Sequence, residues 1–141
     1  MAAAAGHRYL LDTNAVSDLV RHPQGAVAKR LARAGEESVC TSVIVACELR
    51  YGVAKKGSAR LATQLEAVLS LLPVLALEPG VDEVYAAIRN LLEWAGTPIG
   101  ANDLLIAAHA KFLGLTLVTE NRREFDRVPG LAVRSWSAAA G

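Results

Sequence analysis

The sequence predicts an α/β fold of three layers, α/β/α, built on a central parallel β-sheet. Short apolar runs alternate with longer segments of helical period along nearly the whole chain. The runs themselves, such as Leu115-Thr116-Leu117-Val118-Thr119, show no polar face, as expected of strands covered on both sides. The 141 residues are 52% hydrophobic and 21% charged, which suits one domain with a substantial core and is too apolar for a disordered chain.

The elements follow in order. Residues 7–11 read as a strand, closed by Asp12-Thr13-Asn14. Residues 15–20 start a helix with Asn14 or Thr13 as its cap, and His22-Pro23 breaks it. Residues 24–34 are helical up to Gly35, and residues 38–41 are a second strand. Ser42 caps a helix that runs to Lys56 and Gly57. Residues 58–72 place Leu61, Leu65, Val68 and Leu72 on one helical stripe, with the core as its expected destination. Residues 74–77 form a strand between Pro73 and Pro79, and residues 81–94 a helix closed by Gly96. A further helix spans 101–112 and stops at Gly114; strands at 115–119 and 131–136 complete the set. Residues 1–8 are expected to be a flexible leader, 9–136 the domain and 137–141 a flexible tail.

Composition excludes several classes. With 15 basic and 14 acidic residues the chain is neither a strongly basic nucleic-acid coat nor an acidic tail protein. Its apolar runs are too short to span a membrane, the start lacks the pattern of a secretory signal, and a cytoplasmic protein is expected. Cys40 and Cys47 lack the spacing of a redox or zinc pair and are expected to be buried, reduced thiols.

Three acids sit among apolar residues. Asp12 ends the first strand, Glu48 interrupts an apolar helix, and Asp103 opens the run Leu104-Leu105-Ile106-Ala107-Ala108. Taken singly, Asp12 reads as a turn or cap residue and Asp103 as a first-turn acid favoured by the helix dipole. Glu48 reads as half of a salt bridge with Arg30 or Arg33. Taken together they predict a cluster beyond the carboxyl ends of the strands, where open parallel sheets carry their sites. Thr119 closes another strand and points into the same crevice. Clustered carboxylates repel unless a cation neutralises them, and hard oxygen donors select Mg²⁺ or Mn²⁺ over zinc. His7, His22 and His109 show no paired ligand spacing, and His109 is expected to be packed or on the surface. Such an ion suits phosphodiester hydrolysis.

The segments Leu10-Leu11-Asp12-Thr13-Asn14, Ser42 through Gly52, Ile99 through Ala110, and Leu117-Val118-Thr119-Glu120-Asn121 occur in the order of a PIN domain. The ending Val128-Pro129-Gly130-Leu131 with Trp136 resembles the VapC toxins of bacterial toxin–antitoxin pairs. The resemblance implies a Mg²⁺-dependent endoribonuclease (Mn²⁺ being the alternative ion) that cuts structured RNA, commonly tRNA. It implies Asp12, Glu48 and Asp103 as the catalytic, metal-binding acids, with Asn14 and Thr119 supporting them by hydrogen bonds. The family often carries a fourth acid two residues after the threonine. Here that residue is Asn121, which can ligate through its carbonyl or hold a water, and Glu120 and Glu124 are the substitutes at hand. A VapB-type antitoxin and a homodimer are the implied partners.

Arg50, Lys55, Lys56, Arg60, Arg122, Arg123 and Arg127 lie near these motifs and could seat phosphates, with solvated surface charge as the plainer reading. Tyr51 is the one aromatic close by, so recognition by RNA shape is expected over base stacking. The alternatives are a receiver-like or haloacid-dehalogenase-like phosphoryl-transfer domain, or a catalytically inactive PIN binding module. The receiver would need an acidic pair after the first strand, and the phosphatase an aspartate where Asn14 stands.

Overall fold

In the computed structural model, which describes residues 6–137, Tyr9–Leu11 forms β1 at the middle of the sheet. The strands β2 (Val39–Ser42) and β4 (Thr116–Val118) flank it. The edges are β3 (Val74–Leu75) and β5 (Val133–Arg134), and the order β3-β2-β1-β4-β5 is parallel throughout. Leu10 and Leu11 are both fully buried although they point to opposite faces, because helices cover the sheet on both sides. The predicted three-layer arrangement is present. With β1 between β2 and β4, the sheet does not have the receiver order, in which the first strand lies between the second and third.

The helices are α1 (Thr13–Arg21), α2 (Ala26–Ala34), α3 (Val43–Lys56), α4 (Ala59–Leu71), α5 (Val81–Trp94), α6 (Ala101–Leu113) and α7 (Arg122–Phe125). Side-chain caps start three of them: Asp12 for α1, Ser42 for α3 and Ser58 for α4. Gly57 (φ 67°) and Gly114 (φ 71°) end α3 and α6 in the left-handed conformation, which a side chain would strain. Of the predicted stripe, Leu65 on α4 and Leu72 just past its end are buried, while Leu61 and Val68 are half-buried; Leu69 is buried as well, and Leu71 faces solvent.

The differences from expectation have local causes. The α1 cap is Asp12, not Asn14 or Thr13: its Oδ1 accepts from the Ala15 amide at 2.9 Å. The strand at 74–77 shrinks to Val74–Leu75 because its partner β2 ends at Ser42, paired with Leu75. The strand at 131–136 shortens likewise, since β4 ends at Val118 opposite Arg134. Trp136 is nevertheless buried, edge-on to Tyr9 with ring centroids 5.1 Å apart. The short helix α7 was not expected; fully buried Phe125 anchors it. Cys40 is buried and free as expected, but Cys47 is exposed, because α3 turns Val45 and Ala46 inward and Cys47 outward. Sheet hydrogen bonding starts at Arg8, whose amide donates to Ser38 and whose carbonyl accepts from Thr116. The expected leader and tail fall largely on residues 1–5 and 138–141, outside the described residues.

Leu10 contributes to the covering of the central strand on one face, so Leu10→Ala leaves a cavity that the flanking helices cannot close. The expected cost is about 2–5 kcal/mol in urea unfolding. A loss under about 1 kcal/mol would contradict this packing.

Candidate active site

Register builds the site. Leu11 pairs with Val118, so Asp12 and Thr119, the next residues on two adjacent strands, emerge side by side at the carboxyl edge. The Asp12 amide donates to the Val118 carbonyl at 3.0 Å, fixing the exit of β1. Asp12 is only 3% exposed, and its side chain caps α1. Burial pushes its pKa up to about 6, and the nearby charges of Glu120 and Glu48 push the same way. The Thr119 hydroxyl and the Ala15 amide donate to the carboxylate and oppose that shift. Thr119 is fully buried, and its Oγ1 accepts from the Asn121 amide at 2.9 Å, which leaves its proton for Asp12.

Asp103 is half-buried in the first turn of α6. Its pKa rises to about 7, through burial first, then through a hydrogen bond with Glu124 and the charges of Glu124, Glu48 and Asp12. Glu124 moves the opposite way, chiefly because Asp103 donates to it. Of this pair, Asp103 is the acid that holds its proton more tightly. Glu124 is further held by the Gly100 amide at 3.4 Å and by the Asn121 side chain. Of the two substitutes for a fourth acid, Glu124 is the one turned to Asp103. Glu120 accepts from the Ser135 hydroxyl at 2.8 Å.

Glu48 lies half-buried in the second turn of α3. No arginine pairs with it: among the described residues the ion pairs are Arg50–Glu66, Arg89–Glu93 and Arg122–Asp126, and Arg30 lies over the Trp136 ring. Its partners are neutral. Oε1 accepts from the Thr13 hydroxyl, and Oε2 from the Asn102 amide group at 3.2 Å. Sequence reasoning missed both donors, although each adjoins a predicted acid. It assigned support to Asn14, which is exposed, where Thr13 makes the contact.

Asp12, Glu48 and Asp103 therefore lie near one another: the charge of Glu48 reaches Asp12, and the charges of both reach Asp103. Among the described residues no three of His, Cys, Asp or Glu converge closely enough to grip an ion as they stand. Holding one requires the side chains to turn inward. The donor chemistry fits a hard divalent cation: carboxylates, hydroxyls and amide oxygens, with neutral hydrogen bonds around them and acids whose raised pKa a cation would lower. A groove of about 180 Å³ runs from Glu48 between α1, α3 and α4, past Arg21, Leu49, Val53 and Lys56.

His109 is buried, its Nδ1 2.8 Å from the Ser42 hydroxyl, and burial holds its pKa down. It packs rather than binds. Of the cations near the motifs, Arg50 is taken by Glu66, Arg122 lies 3.8 Å from Asp126, and Arg127 donates to the Pro98 carbonyl. Lys55, Lys56, Arg60 and Arg123 keep no carboxylate partner among the described residues.

Residues 9–131 match the PIN domain family. The chain is 38% identical over 130 residues to the ribonuclease VapC2 of Rickettsia felis, covering 91% of this chain and 97% of that one. It is 33% identical to the tRNA(fMet)-specific endonuclease VapC of Salmonella typhimurium, covering 92% and 98%. Among solved structures, VapBC2 of Rickettsia felis bound to a DNA fragment from its promoter superposes with a TM-score of 0.86 at 34% identity, covering 92% of this chain and 98% of that one. DNA-bound VapBC of Salmonella typhimurium gives 0.83 at 33%, with the same coverage.

Asp12 and Asp103 hold protons more tightly folded than unfolded. The stability they contribute is full below the ordinary carboxylate value of 3.8 and is lost as pH rises through about 6 and 7. Glu124, shifted down, offsets part of this. The melting temperature of the metal-free protein should fall from about pH 5 to about pH 8, and saturating Mg²⁺ should reduce the fall. Asp12→Asn should flatten it without metal. A metal-free melting temperature that climbs over that range, in wild type and variant alike, would contradict the assignment.

Proposed function

The chain belongs to the PIN-domain family, among its VapC ribonucleases, and from that premise we propose that it hydrolyses RNA at a Mg²⁺ or Mn²⁺ ion held by Asp12, Glu48 and Asp103. One observation supports this most. Three acids from three distant segments lie within reach of each other's charge at the carboxyl edge of the sheet, with neutral donors rather than cations between them. With the family known, the receiver and phosphatase readings fall, and three intact acids favour an active nuclease over a binding module.

Asp12, Glu48 and Asp103 would hold the ion, which would supply Lewis-acid activation of water and compensation of charge on the phosphate. The protein's own part is orientation. The Thr119 hydroxyl and the Ala15 amide hold Asp12. Glu124 holds Asp103 and supplies the fourth carboxylate that Asn121 cannot. Asn121 braces this pair, bonding Thr119 through its amide and Glu124 through its side chain. Lys55, Lys56, Arg60 and Arg123 are the cations left to meet the RNA backbone.

We assign tRNA as the substrate class, supported by relatives named as tRNA(fMet)-specific endonucleases. A VapB-type antitoxin is the proposed inhibitor, supported by neighbouring structures that are VapBC complexes. The proposed assembly is a homodimer, for which exposed Leu91 and Trp94 on α5 offer apolar surface. No helix among the described residues is long and apolar enough to cross a membrane. The cytoplasm, where tRNA resides, is the proposed compartment.

The test is RNA cleavage by purified protein with and without Mg²⁺, and a cleavage map of total RNA after brief induction. Asp12→Asn and Asp103→Asn should each lower cleavage by about 100-fold or more and relieve growth arrest, with circular dichroism unchanged. Full activity in both variants would refute the assignment of these acids.

A further inference from the structure

Glu48 is the acid with the least help from its own surroundings. Asp12 is held by its own helix cap and by β4, and Asp103 by Glu124. Glu48 projects from α3 on a side chain with three rotatable bonds, and neither Arg nor Lys pins it. Both of its oxygens are nevertheless occupied, one by Thr13 and the other by Asn102. These donors come from different helices, 35 residues before and 54 residues after it. Thr13 directly follows Asp12, and Asn102 directly precedes Asp103. The α3 carboxylate is thus tied by one bond to the segment that carries each of the other two acids.

We infer that Thr13 and Asn102 are positioning residues that tether Glu48 between Asp12 and Asp103, restricting the positions from which it closes on a divalent ion. The inference rests on the reading of the three acids as the metal site. The neutrality of the clamp matters. A lysine or arginine in either place would orient Glu48 equally well, but it would neutralise the charge an ion needs and occupy the same space. A hydroxyl and a carboxamide fix direction while leaving the full negative charge on the carboxylate. Each oxygen has a second lone-pair direction still free for a ligand. With one donor removed, Glu48 pivots about the remaining bond. With both removed, it samples the rotamers of a half-exposed glutamate, and closure on an ion must order it again.

The test is Mn²⁺ titration of the full, metal-stripped chain by calorimetry, with the melting temperature of each metal-free variant recorded alongside. Thr13→Val and Asn102→Ala should each weaken Mn²⁺ binding by about 10-fold, and the pair together by more. Thr13→Ser, which keeps the hydroxyl, should bind like wild type. Glu48→Gln should weaken binding on its own, and adding Thr13→Val or Asn102→Ala to it should cause no further loss. That cycle separates a clamp from a ligand or a purely structural role: continued loss in the Glu48→Gln background would show that the donors act independently of Glu48, and would overturn the inference. Mn²⁺ affinity that depends on Glu48 but ignores Thr13 and Asn102 would overturn it while sparing the metal site. No Mn²⁺ uptake by wild type, or wild-type affinity in Glu48→Gln, would remove the metal-site reading and the clamp with it.

Discussion

Carboxylates must be drawn out of water and brought together at one edge of a sheet, and this constraint governs how the rest of the molecule is used. Asp12, Glu48 and Asp103 are delivered by three helices, and the sheet order places their starts side by side. Burial is the main cause of the raised proton affinity of Asp12 and Asp103, and the charges of the neighbouring acids add to it. The partners close at hand are not arginines: Thr13 and Asn102 donate to Glu48, the Ala15 amide donates to Asp12, and Asp103 bonds Glu124. The acids are therefore held in readiness for a cation without being satisfied by one of the protein's own.

The fold supports this by being rigid where the acids are anchored. Leu10, Leu11, Leu117 and Val118 are fully buried, so the strand ends that emit Asp12 and Thr119 cannot move apart without opening the core. Asp103 and Glu48 lie on the first and second turns of their helices, and Asp12 is itself the cap of α1. Core burial thus sets the distance between segments, and short side-chain bonds set the final orientation.

Much of this was legible in the sequence because its signals are local. Apolar runs without a polar face gave the buried strands, Ser42 and Ser58 gave two helix starts, and Gly57 and Gly114 gave two ends. The three acids stood out because each interrupts or bounds an apolar run. What stayed hidden depends on neighbours distant in sequence. Asp12, Thr13 and Asn14 are all capping types, and only the backbone path after β1 decides among them. The length of β3 is set by where β2 stops, not by its own residues. The exposure of Cys47 was misjudged because α3 is apolar on most of its surface, so its period does not mark an inner face. Nothing local to Asn102 marks it as a partner of Glu48, which lies 54 residues away in sequence.

The contact between His109 and Ser42 has a reach beyond its own place in the core. Ser42 is the residue on which β2 turns into α3, and His109 lies six residues along α6 from Asp103. A single 2.8 Å link therefore rivets the root of one acid-bearing rod to the shaft of another, well behind the business end. Loosening that rivet would let both rods swing together, so damage deep inside the protein would be felt as misalignment at its rim.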